Sequence, residues 1–291
     1  MLAIVDIVLN HTAHNSEWIS LDPEATFNTT NCPHLWVAWE VDNSIQKFSE
    51  AFSRRQTPQC PSAPYIGNEG DLNSVMKAVH DSVIAPLKIE EFFFIDVATH
   101  LRSYERYIDS GEKGEEEAAV KRIIEENKYY LSDLKDIVNR LARKHGHARF
   151  GVEVDVRVMA QLMGAKKNPQ QRRAEFIKLL EQHNEQWRGK AKGFKDNILN
   201  SMRGEIHYHK LVRGKKRVDE FNELVIPYFR ELGDKDNSKC VHNGWVMNIN
   251  PKDDFTQGWY YLQRHVNAWG DSIKLRYGNN RENSPQLWGR M

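Results

Sequence analysis

A carboxylate, an amide, an imidazole and a hydroxyl stand close together near the start of the sequence, as Asp6-x-x-x-Asn10-His11-Thr12. A neutral imidazole donates through one nitrogen and accepts through the other, and the amide does both. Such a group can bind and orient a polar ligand. The stretch before it must hold it in place. Residues Leu2 to Leu9 are nearly all apolar, with Ile4, Val5 and Val8 around the lone Asp6. A short β-branched run of this kind predicts a strand buried on both faces, as in a parallel sheet. Asn10, His11 and Thr12 then fall at its C-terminal end, where open α/β sheets and (β/α)8 barrels place their chemistry.

The pattern Asp6-x-x-x-Asn10-His11 resembles the first signature of the α-amylase superfamily. The longer run Asp6-Ile-Val-Leu-Asn-His-Thr-Ala13, followed by Asn15-Ser-x-Trp18, is similar to the glucanotransferase region of the eukaryotic glycogen debranching enzymes. Further similar stretches are Asn31-Cys-Pro-His-Leu35, Glu91-Phe-Phe93, Arg149-Phe-Gly-Val152, His242-Asn-Gly-Trp-Val-Met247 and Trp269-Gly-Asp-Ser-Ile-Lys-Leu-Arg-Tyr-Gly278. They follow in that family's order, and residues 110–145 and 160–205 match weakly.

The resemblance implies an α/β fold, a partial (β/α)8 barrel from strand three onward with a large, mostly helical insertion. It implies transfer of maltooligosaccharides between α-1,4-glucan chains during glycogen breakdown. An amylo-α-1,6-glucosidase would sit on another domain, and the setting would be cytoplasmic. His11 would donate a hydrogen bond to a glucose hydroxyl, with Asn10 and Asp6 bracing the loop behind it. The competing reading makes His11 a tie between strand and loop. Met1 opens directly inside the strand, so a piece of a longer chain is expected, with the remainder of the parent as its partner.

Amylase-type transfer needs two carboxyl groups, roughly 5 Å apart in retaining enzymes. Phe92-Phe-Phe-Ile-Asp96-Val-Ala-Thr-His100 imitates the nucleophile motif. However, Phe94 stands where that family has an Arg, whose hydrogen bond keeps the carboxylate ionised. Asp96 is therefore read as a structural carboxylate. No catalytic residue is assigned, and the chain alone is expected to be inactive. The alternative is a non-catalytic glucan-binding or interaction remnant. Trp245 can cover a sugar face and Asn243 can bind its hydroxyls; a tight turn around a buried Trp is the equal alternative. Asp271 and Lys274–Arg276 are further candidates for lining a glucan cleft.

The 41 basic and 40 acidic residues nearly cancel, so net charge gives no support for nucleic-acid binding. No apolar run approaches a membrane span. Cys32, Cys60 and Cys240 form no Cys-x-x-Cys pair, which fits a reducing compartment. Asn28-Thr-Thr30 and Asn10-His-Thr12 match the glycosylation sequon, which matters only in a secreted chain. His207-Tyr-His209 and His145-Gly-His147 lack third and fourth ligands at a recognised spacing, and calcium lacks an oxygen cluster. No metal or cofactor is assigned. Lys215-Lys-Arg217 reads as a solvated turn.

Four segments are expected: 1–12, the barrel strand and start of its loop; 13–110, a loop-rich and α/β insertion; 111–205, a mainly helical insertion; and 206–291, a mixed α/β stretch leading back to the barrel. Asn15-Ser16 would cap a short helix near Glu17. Residues 13–70 otherwise read as loop-rich, punctuated by Pro33, Pro58, Pro61 and Pro64. Asp71 would cap a helix to about Pro86, 91–97 would be strand-like, and 99–109 helical. Apolar spacing from Val120 to Leu141 predicts an amphipathic helix. A second helix spans 169–203, with Gly189 and Gly193 as breaks. Leu224–Ile226 is strand-like, and Gly258–Trp269 is expected to be a helix.

Overall fold

A computed structural model describes residues 11–31, 35–110, 115–127, 138–139, 141–144, 148–163, 168–218, 224–225, 229–231, 239–241, 245–248, 261–264 and 272–275. Helices dominate these residues, and the strands are short. The chain divides into two units. One comprises Met1–Lys88, Phe194–Phe255 and Trp259–Met291; the other comprises Ile89–Gly193 and Thr256–Gly258.

In the first unit, the helix Leu35–Ser53 buries Ala38, Val41, Ile45, Phe48 and Phe52. Their steps of three and four keep them on one face. This 19-residue helix falls inside the stretch expected to be loop-rich. Its periodicity is present in the sequence, and Pro33 and Pro58 lie outside it on either side, where they do not interrupt the helix. A second helix, Glu69–Val79, is capped by Asn68, whose side chain accepts from the Asp71 N–H at 3.0 Å. Asp71 in turn accepts from the Gly67 N–H at 2.9 Å. The cap thus lies three residues before the expected Asp71, which sits inside the first turn. Leu72, Val75 and Val79 are buried as the spacing implied. A π-turn, His80–Ile84, and a short helix, Ala85–Leu87, continue the segment through Pro86.

The second unit holds the helices Val97–Ser110, Glu115–Asn127 and Val156–Met163. A 38-residue helix, Pro169–Ile206, begins in this unit, and its residues from Phe194 onward belong to the first. Phe176, Leu179, Leu180, Trp187, Phe194, Ile198 and Met202 are all buried along it. Gly189 and Gly193 do not break it: both are exposed, and each lacks only a favourable side chain. Trp187 stacks on Phe93 at 4.6 Å, and Phe176 on Tyr104 at 4.5 Å. Asn184 accepts from the Ile95 N–H (2.8 Å) and donates to its carbonyl (3.0 Å). The 91–97 stretch is accordingly not a strand. Ile89–Phe93 forms a 3-10 turn, and Ile95 makes isolated bridges to Gly151 and Val152.

The strands among the described residues are β1 (His11–Ala13), β2 (Arg143–Lys144), β3 (Val152–Glu153), β4 (Phe229–Glu231), β5 (Lys239–Val241), β6 (Trp245–Asn248), β7 (Tyr261–Arg264) and β8 (Ser272–Lys274). They pair antiparallel in twos: β1 with β8, β2 with β3, β4 with β5, and β6 with β7. β7 replaces the helix expected over 258–269. Its partner β6 supplies a non-local ladder that outweighs a weak local pattern. The expected parallel barrel strand, residues 2–9, lies outside the described residues. No described helix is long and apolar enough to cross a membrane.

Candidate functional site

His11 is the first residue of β1, and the strand whose C-terminal end it was expected to mark, residues 2–9, lies outside the described residues. His11 pairs across the ladder with Lys274, Thr12 pairs with Ile273, and Ala13 with Ser272. The Thr12 and Ser16 hydroxyls bond at 2.7 Å, and the Ser16 N–H donates to the Ala13 carbonyl at 3.0 Å, folding the chain back at once. The short helix Trp18–Leu21 follows, entered at Glu17 without a side-chain cap, so Asn15 and Ser16 do not serve as expected. Trp18 packs against Ile19 with Ile273, and against Ala25 with Leu275. A further bridge joins Thr26 to Leu275.

Behind this pair lies a closed polar turn. The Asn28 side-chain oxygen accepts from the Thr30 and Asn31 N–H groups, at 2.9 and 3.0 Å. Its amide donates to the Pro23 carbonyl at 2.9 Å, and Asn31 donates to the Thr26 carbonyl at 2.8 Å. Asn28 is 2% exposed, so the folded chain closes this sequon to a glycosyltransferase. Satisfied buried amides fix backbone geometry rather than offering themselves to ligand. The fold thus fastens the stretch around His11 to the stretch around Ile273, which are far apart in sequence.

The family model described as the glucanotransferase domain of glycogen debranching enzyme matches residues 1–291. The chain belongs to that family. It is also similar to the glycogen debranching enzyme of Saccharomyces cerevisiae, 30% identical over 305 residues that take in 100% of this chain. The chain spans 20% of that relative's length.

In this glucanotransferase-family chain, the nucleophile-like segment has a local structural task. Asp96 accepts from the Thr99 N–H at 3.0 Å and from the Thr99 hydroxyl at 2.7 Å. Its carbonyl accepts from the His100 N–H at 3.0 Å. That is an N-cap for the helix Val97–Ser110. The Thr99 backbone and side-chain bonds hold the Asp96 carboxyl below the usual aspartate range. His100 donates from Nδ1 to the Asp96 carbonyl (2.8 Å) and accepts at Nε2 from the Val154 N–H (3.2 Å). Both ring nitrogens are therefore engaged in tying the helix to residues 152–155. The Asp-x-x-x-His spacing here serves a cap and a strap.

Trp245 opens β6 opposite Arg264, in a ladder rather than the tight turn or cleft loop expected. Asp6, Asn10, Asn243 and Asp271 lie outside the described residues, as do His145 and His147. His207 pairs with Glu69 at 3.3 Å. Burial, reinforced by Lys210, Arg213 and Lys215, outweighs the Glu205 carboxylate and lowers the His209 pKa. Among the described residues no three His, Cys, Asp or Glu side chains group as metal ligands. Residue type alone gives Trp18 no role in the Asn15-Ser-x-Trp18 pattern. Its position in one family block, and of Ile273 and Leu275 in another, was the available signal that the two meet.

Proposed function

We propose that the chain is part of a 4-α-glucanotransferase that moves maltooligosaccharides between α-1,4-glucan chains in glycogen breakdown. The family match over residues 1–291 carries this reading. In it, the chain forms part of a (β/α)8 barrel, from strand three onward, with a large helical insertion. It works in the cytoplasm as a portion of a longer protein that also carries the amylo-α-1,6-glucosidase.

His11 is the substrate-contacting residue of this reading. Its imidazole donates a hydrogen bond to a glucose hydroxyl at the cleavage subsite, and Asp6 and Asn10 orient it. Asn243, Trp245 and Asp271 contribute to the same glucan cleft. The pairing of β1 with β8 supports the assignment by fixing the backbone at His11. The carboxyl pair that attacks the anomeric carbon and protonates the leaving oxygen comes from other parts of the parent. A hydrogen bond that strengthens as the oxocarbenium-like state forms lowers the barrier rather than merely tightening binding.

The test is His11→Ala in the intact parent. Transferase turnover falls by an amount equivalent to about 1–3 kcal/mol, with the melting transition little changed. A folded variant with wild-type kinetics would falsify the role of His11.

A further inference from the structure

The chain is close to neutral overall, yet its charge is not evenly spread. Residues 207–217, His-Tyr-His-Lys-Leu-Val-Arg-Gly-Lys-Lys-Arg, hold five Lys or Arg and no acid. Lys210 is buried; the other four cations are exposed. The segment is built rather than frayed. A π-turn, His207–Val212, leads to Arg213, whose N–H donates to the Tyr208 carbonyl at 2.9 Å. Gly214 then reverses the chain at φ +72°, and the Lys215 N–H donates to the His209 carbonyl at 3.2 Å. Residues 216–218 run along 64–66, joined by Ile66 N–H to Lys216 carbonyl (2.9 Å) and Val218 N–H to Pro64 carbonyl (2.8 Å).

Apolar surface gathers at the same place. Among the described residues five large hydrophobic side chains are exposed, and three of them are here: Tyr65 at 46%, Tyr208 at 45% and Val212 at 62%. The Arg213 guanidinium lies 5.4 Å from the Tyr208 ring centre, and the Arg217 guanidinium 6.0 Å from that of Tyr65. Each ring thereby limits the freedom of one cation, so less entropy is lost when that cation meets an anion. Among the described residues no carboxylate pairs with Arg213, Lys215 or Lys216. Glu69, at the neighbouring helix start, is taken by Arg203 at 2.7 Å and by His207.

We propose that residues 207–217, together with Tyr65, form a docking surface for an acidic segment of a protein partner. Arg213, Lys215 and Lys216 repel one another, and an acidic partner relieves that repulsion. Exposed Val212 and the two rings give the partner's apolar side chains a surface, which a simple anion would leave unused. A glucan is disfavoured because guanidinium groups lie over the tyrosine rings on which a sugar would stack. The surface asks nothing of His11 or of the glucan reading.

The test uses the whole 291-residue chain and a labelled synthetic peptide of alternating Glu and Leu, read by fluorescence anisotropy. The peptide binds, its affinity falls as salt is raised, and the Gln-for-Glu peptide does not bind. Lys215→Glu combined with Lys216→Glu weakens binding on the order of tenfold or more. Arg213→Ala and Tyr208→Ala each weaken it severalfold, and circular dichroism shows all variants to be as helical as the parent chain. Binding that survives the double charge reversal overturns the proposal. So does inorganic phosphate competing as well as the peptide, or maltoheptaose displacing it.

Discussion

Acidification should loosen the unit that contains Ile89–Gly193, and His183 sets the range of pH. This histidine is 2% exposed and sits on the buried face of the long helix. Its Nδ1 donates to the Asn139 side-chain oxygen at 2.9 Å, and its ring lies 6.4 Å from that of Trp187. Burial disfavours the imidazolium and the Lys190 ammonium adds to this, against a hydrogen bond with the Phe93 backbone; the pKa is pushed down to about 4. The unfolded chain keeps the ordinary value near 6.5. Above that value both states are neutral and His183 contributes no pH dependence. As the pH falls below it, the unfolded chain takes up a proton that the folded chain refuses. Stability is therefore lost between about 6.5 and 4 and levels off below. The full span corresponds to about 3 kcal/mol, of which about 2 kcal/mol is gone by about pH 5. Hydrogen exchange of residues 176–190 reads it, comparing the native chain with His183→Gln, which cannot titrate. The variant's opening free energy should be flatter with pH by this amount. An equal pH dependence in the two chains would refute the reasoning.

Two further perturbations test the helices. Gly189→Ala and Gly193→Ala should each stabilise the chain by about 0.8–1 kcal/mol, because both sites are exposed, helical and open around an added Cβ; urea midpoints that fall would show that the helix does not run unbroken. Asn68→Ala should cost about 1 kcal/mol through loss of the cap on Glu69–Val79. Asn68→Asp should retain most of that stability, and equal melting temperatures for all three chains would remove the cap from the account.

The sequence made the helices legible where their apolar residues recur at helical spacing over many turns. The long helix shows this best, because seven apolar side chains from Phe176 to Met202 recur at a spacing that puts them on one buried face. Its glycines misled because an exposed glycine weakens a helix without ending it, while the packing of Phe176, Trp187 and Met202 holds the chain helical. The reverse happened near Leu35, where prolines outside the helix hid a sound periodicity. β7 was hidden for another reason. A strand only four residues long has its hydrogen-bond partners in β6, and no local pattern reports a non-local ladder. At the candidate site, the family resemblance picked out His11, and Lys274 was a further candidate for lining a glucan cleft. That the two face each other across one ladder depends on register, which residue types do not encode.

Asp96 separates chemistry from architecture most sharply. Read by spacing, it stands where an amylase-type nucleophile would, four residues before a histidine. Read by its bonds, both carboxylate oxygens are taken by Thr99 and the histidine straps the helix to Val154. The two roles predict opposite outcomes for one substitution. Asparagine caps a helix about as well as aspartate, so Asp96→Asn should barely change stability, whereas Asp96→Ala should cost about 1 kcal/mol. A nucleophile behaves otherwise, since an amide cannot form the glycosyl-enzyme bond. In the intact parent, Asp96→Asn should therefore keep transferase turnover on maltooligosaccharides. The 291-residue chain alone should neither redistribute their lengths nor release glucose from a branched limit dextrin. Turnover by that chain, abolished by Asp96→Asn in a protein that still melts normally, would mean that the cap is also the catalyst.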